Sequence, residues 1–272
     1  MSINYFEYNN DFGLPEGAFR ISPSQLYKFF DNTSQWYREN LLGEEPEFTN
    51  STSSHLGTAI HAAAAMYFNT KNVDKQAIYA YVNSLPADID KQLILDQVKP
   101  MTECLINNFL SKTIATHAEL PIATEILPGI YAAGTADLVN VTSGTLWDYK
   151  TIGSLDTARI PTIFPRNYWF QQLAYAYILT KLGHNIKSIN LVYITRSNTN
   201  RISETTGKPL KDYPSECHIV SMEVTNELLD MMHGILNVVA HSVQHWKEYP
   251  EHHYLLAQDF RLYVKSPAKL FK

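Results

Sequence analysis

The sequence predicts one α/β domain in which a central mixed sheet is flanked by helices. A β-hairpin signal lies near the middle of the chain, a strong helix-forming segment lies on either side of it, and a largely apolar strand follows over residues 189–194. With 272 residues, 45% of them hydrophobic, the chain can bury one substantial core. We therefore expect a single domain over residues 1–272.

The hairpin is predicted from two short segments rich in β-branched and aromatic residues, 139–141 and 146–149. Thr142-Ser143-Gly144 between them is a turn signal. This arrangement places Asp137 and Asp148 on neighbouring strands.

Side chains alternate along a strand, so Asp148 and Lys150 share one face while Tyr149 points away. The backbone carbonyl of Tyr149 stays available as a ligand. Mg²⁺ prefers oxygen ligands and is usually held by one or two carboxylates together with substrate phosphate. Asp137 and Asp148 supply such carboxylates, and Lys150 lies where it can orient or deprotonate a water, or offset charge in the transition state.

Two upstream segments add candidate ligands. Residues 56–67 form a strong helix-forming segment with His61 among small side chains, and this histidine is either a packing residue or a metal or phosphate contact. Residues 122–127 predict a strand bounded by prolines, with Glu125 as a third candidate carboxylate and Glu119 as the alternate.

Downstream, residues 168–179 have the apolar spacing of a buried helix that ends near Gly183. Gln171 and Tyr175 lie four residues apart and therefore on one face. An amide and a phenol there could hold a phosphate or position a water, although an aromatic-rich helix is more often simply core.

In chain order, these motifs are GTAxH, a strand glutamate, GxxD, DYK and QxxxY. This order resembles the PD-(D/E)XK nuclease superfamily, in particular its RecB-like and lambda-exonuclease-like branch. The resemblance covers about residues 20–180. Motif by motif, it implies the following site residues: His61, Glu125, Asp137, Asp148 with the carbonyl of Tyr149, Lys150, Gln171 and Tyr175. Gln172 is the alternative to Gln171, and only the spacing to Tyr175 favours the first.

The resemblance implies a restriction-endonuclease-like core and a Mg²⁺-dependent DNA nuclease, with Mn²⁺ as a substitute. The expected substrate is duplex DNA with a free end. A single-strand annealing protein is a candidate partner, and a homo-oligomeric ring a candidate assembly. Some members of this branch hold an iron-sulfur cluster with four cysteines, but Cys104 and Cys217 are the only cysteines here, so we expect no cluster.

Composition predicts a soluble protein of the cytoplasm, and the resemblance implies that the cell is bacterial or phage-infected. No run of about 18 apolar residues is present, so we expect no membrane span, and two cysteines give no disulfide framework. The net charge of −5 gives no overall support for nucleic-acid binding. The local basic candidates are Arg159, Arg166, Lys181, Lys187, Arg196, Arg201, Lys208 and Lys211.

The polar, breaker-rich stretch at 196–216 predicts a loop or extended hairpin. Thr225-Asn226-Glu227 opens a C-terminal helix that runs toward Trp246. Exonuclease activity is favoured over endonuclease activity by the resemblance alone. Two other classes remain open. The first is a non-catalytic DNA-binding or recombination-partner subunit on a nuclease-like scaffold, against which the intact DxK motif argues. The second is a structural or interaction protein whose hairpin charges are ordinary surface charges.

Overall fold

Six strands form one mixed sheet with helices on both faces. The structure, a computed structural model, describes residues 4–6, 11–45, 51–153, 160–199, 202–203 and 205–250. The strand order is β1-β3-β4-β5-β6, and β2 pairs with the other edge of β3. The pairs β1/β3 and β4/β5 are parallel, and β2/β3, β3/β4 and β5/β6 are antiparallel. The predicted α/β architecture with a mixed central sheet is confirmed.

The strands are β1 (Phe19–Ile21), β2 (His117–Leu127), β3 (Ile130–Asn140), β4 (Thr145–Ile152), β5 (Ser188–Thr195) and β6 (Cys217–Glu223). The helices are α1 (Leu26–Asp31), α2 (Thr33–Asn40), α3 (Thr52–Thr70), α4 (Lys75–Ser84), α5 (Lys91–Leu105), α6 (Arg166–Lys181) and α7 (Asn226–Glu248). A short 3₁₀ turn, Pro23–Gln25, precedes α1, and a π-helical turn, Ile106–Leu110, continues α5.

The sheet separates two apolar cores. On one face, α1, α2, α6 and α7 pack around side chains that include Val139 and Leu146. On the other face, α3, α4 and α5 pack around side chains that include Leu138 and Tyr149. Neighbouring residues of β3 and β4 thus contribute to opposite cores, as strand alternation requires. Because helices cover both faces of the sheet, polar side chains on its strands can be shielded from solvent.

The central strand β3 has different partners along its length. Its first residues, Ile130 to Ala132, pair with β1, and its last residues, Leu138 to Asn140, pair with β4. Between them, the edge of β3 that faces β1 and β4 has no ladder partner among the described strands. Because β3 and β4 separate just beyond Leu138, the chain forms a fork at Asp137 and Asp148.

Several predicted elements are found with longer bounds. The hairpin turn at residues 141–144 is present, with Gly144 at φ 74°, and the helices predicted around His61, Gln171 and Trp246 are α3, α6 and α7. The strand predicted from residue 122 begins at His117 and runs through Pro121. Proline is tolerated there because β2 is an edge strand that pairs only with β3. The motif-based prediction did not include α4 and α5.

The stretch 196–216 is partly paired: two isolated antiparallel bridges join Asn198 to Tyr213 and Ile202 to Pro209. Arg159 and Arg201, two of the predicted basic candidates, lie outside the described residues. Among the described helices, none has both the length and the apolar character needed to cross a bilayer.

Candidate active site

The fork between β3 and β4 opens into a cleft of about 580 Å³. Asp137 from β3 and Asp148 from β4 both line it, together with Lys150 from the same strand as Asp148. The helix α3 closes one side, and Ser54, Thr58 and His61 face the cleft from it. These positions are four and three residues apart, so they form one stripe on the helix. Sequence motifs separated by about a hundred residues therefore meet at one place.

Asp137 is held by groups from two other elements. Its Oδ2 accepts a hydrogen bond from the backbone N–H of Tyr149 at 2.9 Å and lies 3.3 Å from Nδ1 of His61. The Nε2–H of His61 in turn donates to the carbonyl oxygen of Tyr149 at 3.0 Å. The Tyr149 carbonyl, predicted to be available as a ligand, thus has a protein partner here. The contact fixes the imidazole so that Nδ1 faces the carboxylate.

Glu119 joins this group from β2. In the β2/β3 register, Ala118 pairs with Leu138 and Leu120 with Ala136, so Glu119 lies opposite Asp137. Glu119 has a φ of 48°, a left-handed conformation that costs a non-glycine residue about 1–2 kcal/mol. Such strain is kept where the surroundings impose it, often at functional sites.

The structure does not bring Glu125 into the site. Glu125 pairs with Tyr131 near the β2/β3 turn and is exposed, and its Oε1 accepts from the backbone N–H of Gly129 at 2.9 Å. It is six residues from Glu119, which is roughly 20 Å along a strand. We therefore assign Glu119, the alternate, rather than Glu125 as the third candidate carboxylate.

Lys150 is tied to Asp148. Its Nζ lies 2.6 Å from Oδ2 of Asp148, 3.5 Å from Oε1 of Gln171 and 4.7 Å from the ring centroid of Tyr168. A cation over an aromatic face is attracted by the ring quadrupole. The lysine head is thus held between a carboxylate, an amide oxygen and a ring, at the open side of the fork.

The two adjacent glutamines of α6 contact different residues of the DYK motif: Gln171 contacts Lys150, and Gln172 contacts Asp148. Gln171 lines the cleft with Tyr175 and reaches Lys150. Gln172 is fully buried and donates its amide to Oδ1 of Asp148 at 2.8 Å. The motif spacing favours Gln171, whereas the residue that holds the aspartate is Gln172, which the sequence offered only as the alternative.

Gly134, the glycine of the GxxD motif, makes room for Tyr175. A Cβ atom at residue 134 would lie 2.9 Å from Cε1 of Tyr175 and 3.1 Å from Cδ of Pro23. The glycine is needed because the phenol ring packs directly on the backbone of β3. This contact links the GxxD motif to the QxxxY helix.

The buried charges shift the pKa values of the whole group. Burial and the neighbouring Asp137 raise the pKa of Glu119 to about 8, and burial raises that of Asp148 to about 6 despite Lys150. For His61, burial lowers the pKa, but the neighbouring carboxylates of Asp137, Glu119 and Asp148 together outweigh it and the pKa rises to about 9. For Lys150, burial likewise lowers the pKa, but Asp148 and Asp137 raise it above its usual value. Lys150 is therefore an ammonium at neutral pH.

The donor set fits a divalent cation. The ligand atoms of His61, Glu119 and Asp137 all lie within 4.8 Å of one another. Nδ1 of His61 is buried and faces the Asp137 carboxylate at 3.3 Å, so once its proton leaves, its lone pair lies beside carboxylate oxygens that can share a cation with it. Carboxylates with one imidazole suit hard or borderline cations such as Mg²⁺ and Mn²⁺.

The walls of the cleft carry groups that the sequence motifs did not indicate. Arg20 of β1 donates from Nε to the carbonyl oxygen of Ala133 at 3.1 Å, and its guanidinium lies 4.5 Å from the ring centroid of Phe12. Arg196, one of the predicted basic candidates, lies beside the cleft and donates to Oγ of Ser53, a lining residue, at 2.9 Å. No sequence motif predicts a role for Arg20, because only the pairing of β1 with β3 brings this residue to the fork.

A family model described as the PD-(D/E)XK nuclease superfamily matches residues 20–259. This match spans most of the chain and includes every element of the fork. The chain belongs to the PD-(D/E)XK nuclease superfamily, whose members typically use divalent metals. No curated protein sequence gives a significant match.

Solved structures that resemble this chain have low sequence identity to it. A provisionally assigned exonuclease of Eubacterium rectale is 14% identical, with 91% of this chain and 87% of that chain covered and a TM-score of 0.55. An alkaline exonuclease of Laribacter hongkongensis is 9% identical, with coverage of 87% and 93% and a TM-score of 0.41. A phage-related exonuclease of Haemophilus somnus is 10% identical, with coverage of 83% and 97% and a TM-score of 0.35. The first of these supports the restriction-endonuclease-like fold.

Proposed function

We propose that this protein is a divalent-metal-dependent DNA nuclease that hydrolyses phosphodiester bonds, and that it acts as an exonuclease. The observation that carries the proposal is the convergence of Asp137, Asp148 and Lys150 with His61 and Glu119 at one open fork in the sheet. Membership of the superfamily supports nuclease chemistry. The preference for DNA ends rests on the resemblance to the lambda-exonuclease-like branch and on the name given to the E. rectale protein.

His61, Glu119, Asp137 and Asp148 would hold the metal, and Mg²⁺ is the proposed ion. When bound, a divalent cation supplies charge neutralisation for the phosphate and lowers the pKa of a coordinated water. The carboxylates are well placed for this because their own partners orient them: Tyr149 N–H holds Asp137, and Gln172 holds Asp148.

Lys150 is proposed to act as an electrostatic and positioning group. Its pKa is raised, so it carries a positive charge near the scissile phosphate rather than serving as a neutral base in the metal-free protein. Asp148, Gln171 and the Tyr168 ring fix the ammonium. A fixed cation of this kind stabilises the charge that develops on the phosphoryl oxygens in the transition state and orients the attacking water.

Arg20 and Arg196 are proposed to contact DNA phosphates at either side of the cleft. Arginine suits this role because its planar guanidinium matches phosphate geometry. The hydroxyls of Ser22, Ser53 and Ser54 lie on the same walls and can donate to phosphate oxygens. Such local groups permit DNA binding in a chain whose overall net charge is −5.

The finer assignments extend this proposal. We propose one nuclease domain, a homo-oligomeric ring that retains DNA by enclosure, and a single-strand annealing protein as the partner that receives the product strand. Enclosure would compensate for the lack of a strongly basic surface. Light scattering that gives a mass several times 31.0 kDa would support the ring, and a monomeric mass would contradict it.

The test of the function uses end-labelled linear duplex, nicked circles and closed circles, with Mg²⁺ or with a chelator. The proposal predicts degradation of the linear duplex with Mg²⁺ only, while closed circles are spared. Cleavage should weaken as salt rises, because phosphate contacts release counterions. Rapid linearisation of closed circles would refute the exonuclease assignment and leave the nuclease assignment standing, whereas the absence of any metal-dependent cleavage would refute both.

A further inference from the structure

A second cavity lies among the helices α3, α4 and α5, separate from the fork. It has a volume of about 290 Å³ and is formed by the C-terminal end of α3, the turn after it, α4 and α5. Ile78 and Val98 form part of its buried lining, and Leu95 and Ile106 border it. None of the residues that line it also lines the candidate active site. The cavity is therefore a separate feature of the molecule.

One polar group inside this cavity has no partner. Thr102 is 6% exposed, and its Oγ1 makes no hydrogen bond to any described residue. Threonines in helices usually donate to the carbonyl four residues earlier, as Thr70 does to the carbonyl oxygen of Met66 at 2.8 Å. Thr102 does not do so, and a buried hydroxyl without a partner is destabilising. Because Oγ1 is itself shielded from solvent, a ligand in the cavity does not reach it, and Thr102 belongs to the wall of the cavity rather than to its polar contacts.

The mouth of the cavity is basic. Lys71, Lys75 and Lys99 are exposed around it, and Glu103 is the one acidic residue in the lining. Lys71 ends α3 and its Nζ lies 5.4 Å from the ring centroid of Tyr67, which also lines the cavity. A local excess of positive charge in a chain of net charge −5 favours an anionic ligand at this mouth.

We propose that this cavity is a binding site for a small organic anion with an apolar, ring-sized body. The body would fill the apolar interior, and the anionic group would lie among Lys71, Lys75 and Lys99. The volume is close to the lower end of known ligand pockets, about 300–1,000 Å³. The site needs neither a metal nor DNA, so it is independent of the proposed nuclease function.

The probes are 4-phenylbutyrate and its neutral amide, tested on the full chain in metal-free buffer by NMR shift perturbation and titration. We expect the acid to bind with a dissociation constant on the order of 1 mM and to perturb resonances of α4 and α5. The amide should bind at least about 3-fold more weakly, because it lacks the charge. Equal binding of acid and amide, or no binding of the acid at about 10 mM, would overturn the proposal.

Variants locate the site. Lys71→Gln and Lys99→Gln should each weaken binding of the acid about 2- to 5-fold. Lys112→Gln, an exposed lysine outside the lining, is the matched control and should leave binding unchanged. An equal loss in the control would mean that attraction to the general surface charge, rather than the cavity, holds the ligand.

Discussion

Gln172 donates its side-chain amide to the buried Asp148 carboxylate at 2.8 Å, while its neighbour Gln171 reaches Lys150 instead. The two adjacent side chains therefore support the two halves of the DYK motif separately. A carboxylate with a fixed hydrogen-bond donor keeps one orientation, and such outer partners typically change metal affinity or activity by about 10–100-fold when removed.

This relationship predicts different outcomes for Gln172→Leu and Gln171→Leu. The first should raise the metal concentration needed for half-maximal cleavage by about 10-fold or more, because Asp148 loses its donor. The second should lower the rate at saturating metal with little change in metal affinity, because it touches the lysine. Metal titrations of cleavage rate distinguish them, and identical metal dependence in both variants would contradict these separate roles.

The assignment of Glu119, rather than Glu125, as the third carboxylate is tested by one substitution at each residue. Glu119→Gln should lower cleavage by at least about 100-fold and weaken Mn²⁺ binding, because one of three grouped ligands is lost. Glu125→Gln should leave cleavage unchanged, since this side chain is exposed and accepts from the backbone N–H of Gly129 at the β2/β3 turn. Calorimetric Mn²⁺ titration together with a cleavage assay checks both. An active Glu119→Gln variant would remove Glu119 from the metal site.

Two glycines with different surroundings give a test of packing at the fork. Gly134→Ala should displace Tyr175 and destabilise the protein by about 1–3 kcal/mol, because the added Cβ would lie 2.9 Å from its ring. Gly57→Ala is the control: its Cβ would lie 3.7 Å from Oγ1 of Thr151, an ordinary contact, and alanine favours the helix by up to about 1 kcal/mol. Urea unfolding measures both changes. If Gly134→Ala is as stable as wild type, Tyr175 does not pack on β3 as described.

The raised pKa values predict how the stability of the metal-free protein depends on pH. Asp148, Glu119 and His61 have folded pKa values of about 6, 8 and 9, each above its usual value. Between the unfolded and folded pKa of such a group, the folded state binds more protons, so the free energy of unfolding falls as pH rises. Melting temperatures in chelator should therefore decline from about pH 5 to pH 9.

The same protons must leave when a metal binds, so added Mg²⁺ should raise the melting temperature more at pH 9 than at pH 6. Glu119→Gln should flatten the decline measured in chelator between about pH 5 and pH 8, because glutamine does not titrate. A melting temperature that rises with pH in the metal-free wild type would show that the carboxylates are not buried together.

Much of the site could be predicted from sequence because its signals are local. The Thr142-Ser143-Gly144 turn sets the β3/β4 register, and strand alternation then places Asp148 and Lys150 on one face. The fixed spacing of glycine, aspartate and lysine in the GxxD and DYK motifs can be recognised in the sequence without knowledge of the tertiary structure. The helices that carry His61 and Gln171 follow from apolar periodicity in the same way.

The prediction and the structure differ where tertiary packing decides. Pro121 reads as a strand boundary, but an edge position lets β2 continue through it, and this brings Glu119 rather than Glu125 to Asp137. Gln172 is selected by the rotation of α6 against the sheet, which motif spacing does not encode. Arg20 enters the cleft only because a three-residue strand pairs with β3.

The most direct test of the central claim is the cleavage rate of end-labelled linear duplex by wild type and by Lys150→Met, each titrated with Mg²⁺, with melting temperature measured alongside. Methionine retains much of the side-chain length without the charge. The structure predicts Mg²⁺-dependent cleavage by wild type and a loss of at least about 1,000-fold in Lys150→Met, in a protein that stays folded. Cleavage by Lys150→Met at the wild-type rate, or wild-type cleavage that persists in chelator, would contradict the assignment of this fork as a metal-dependent nuclease site.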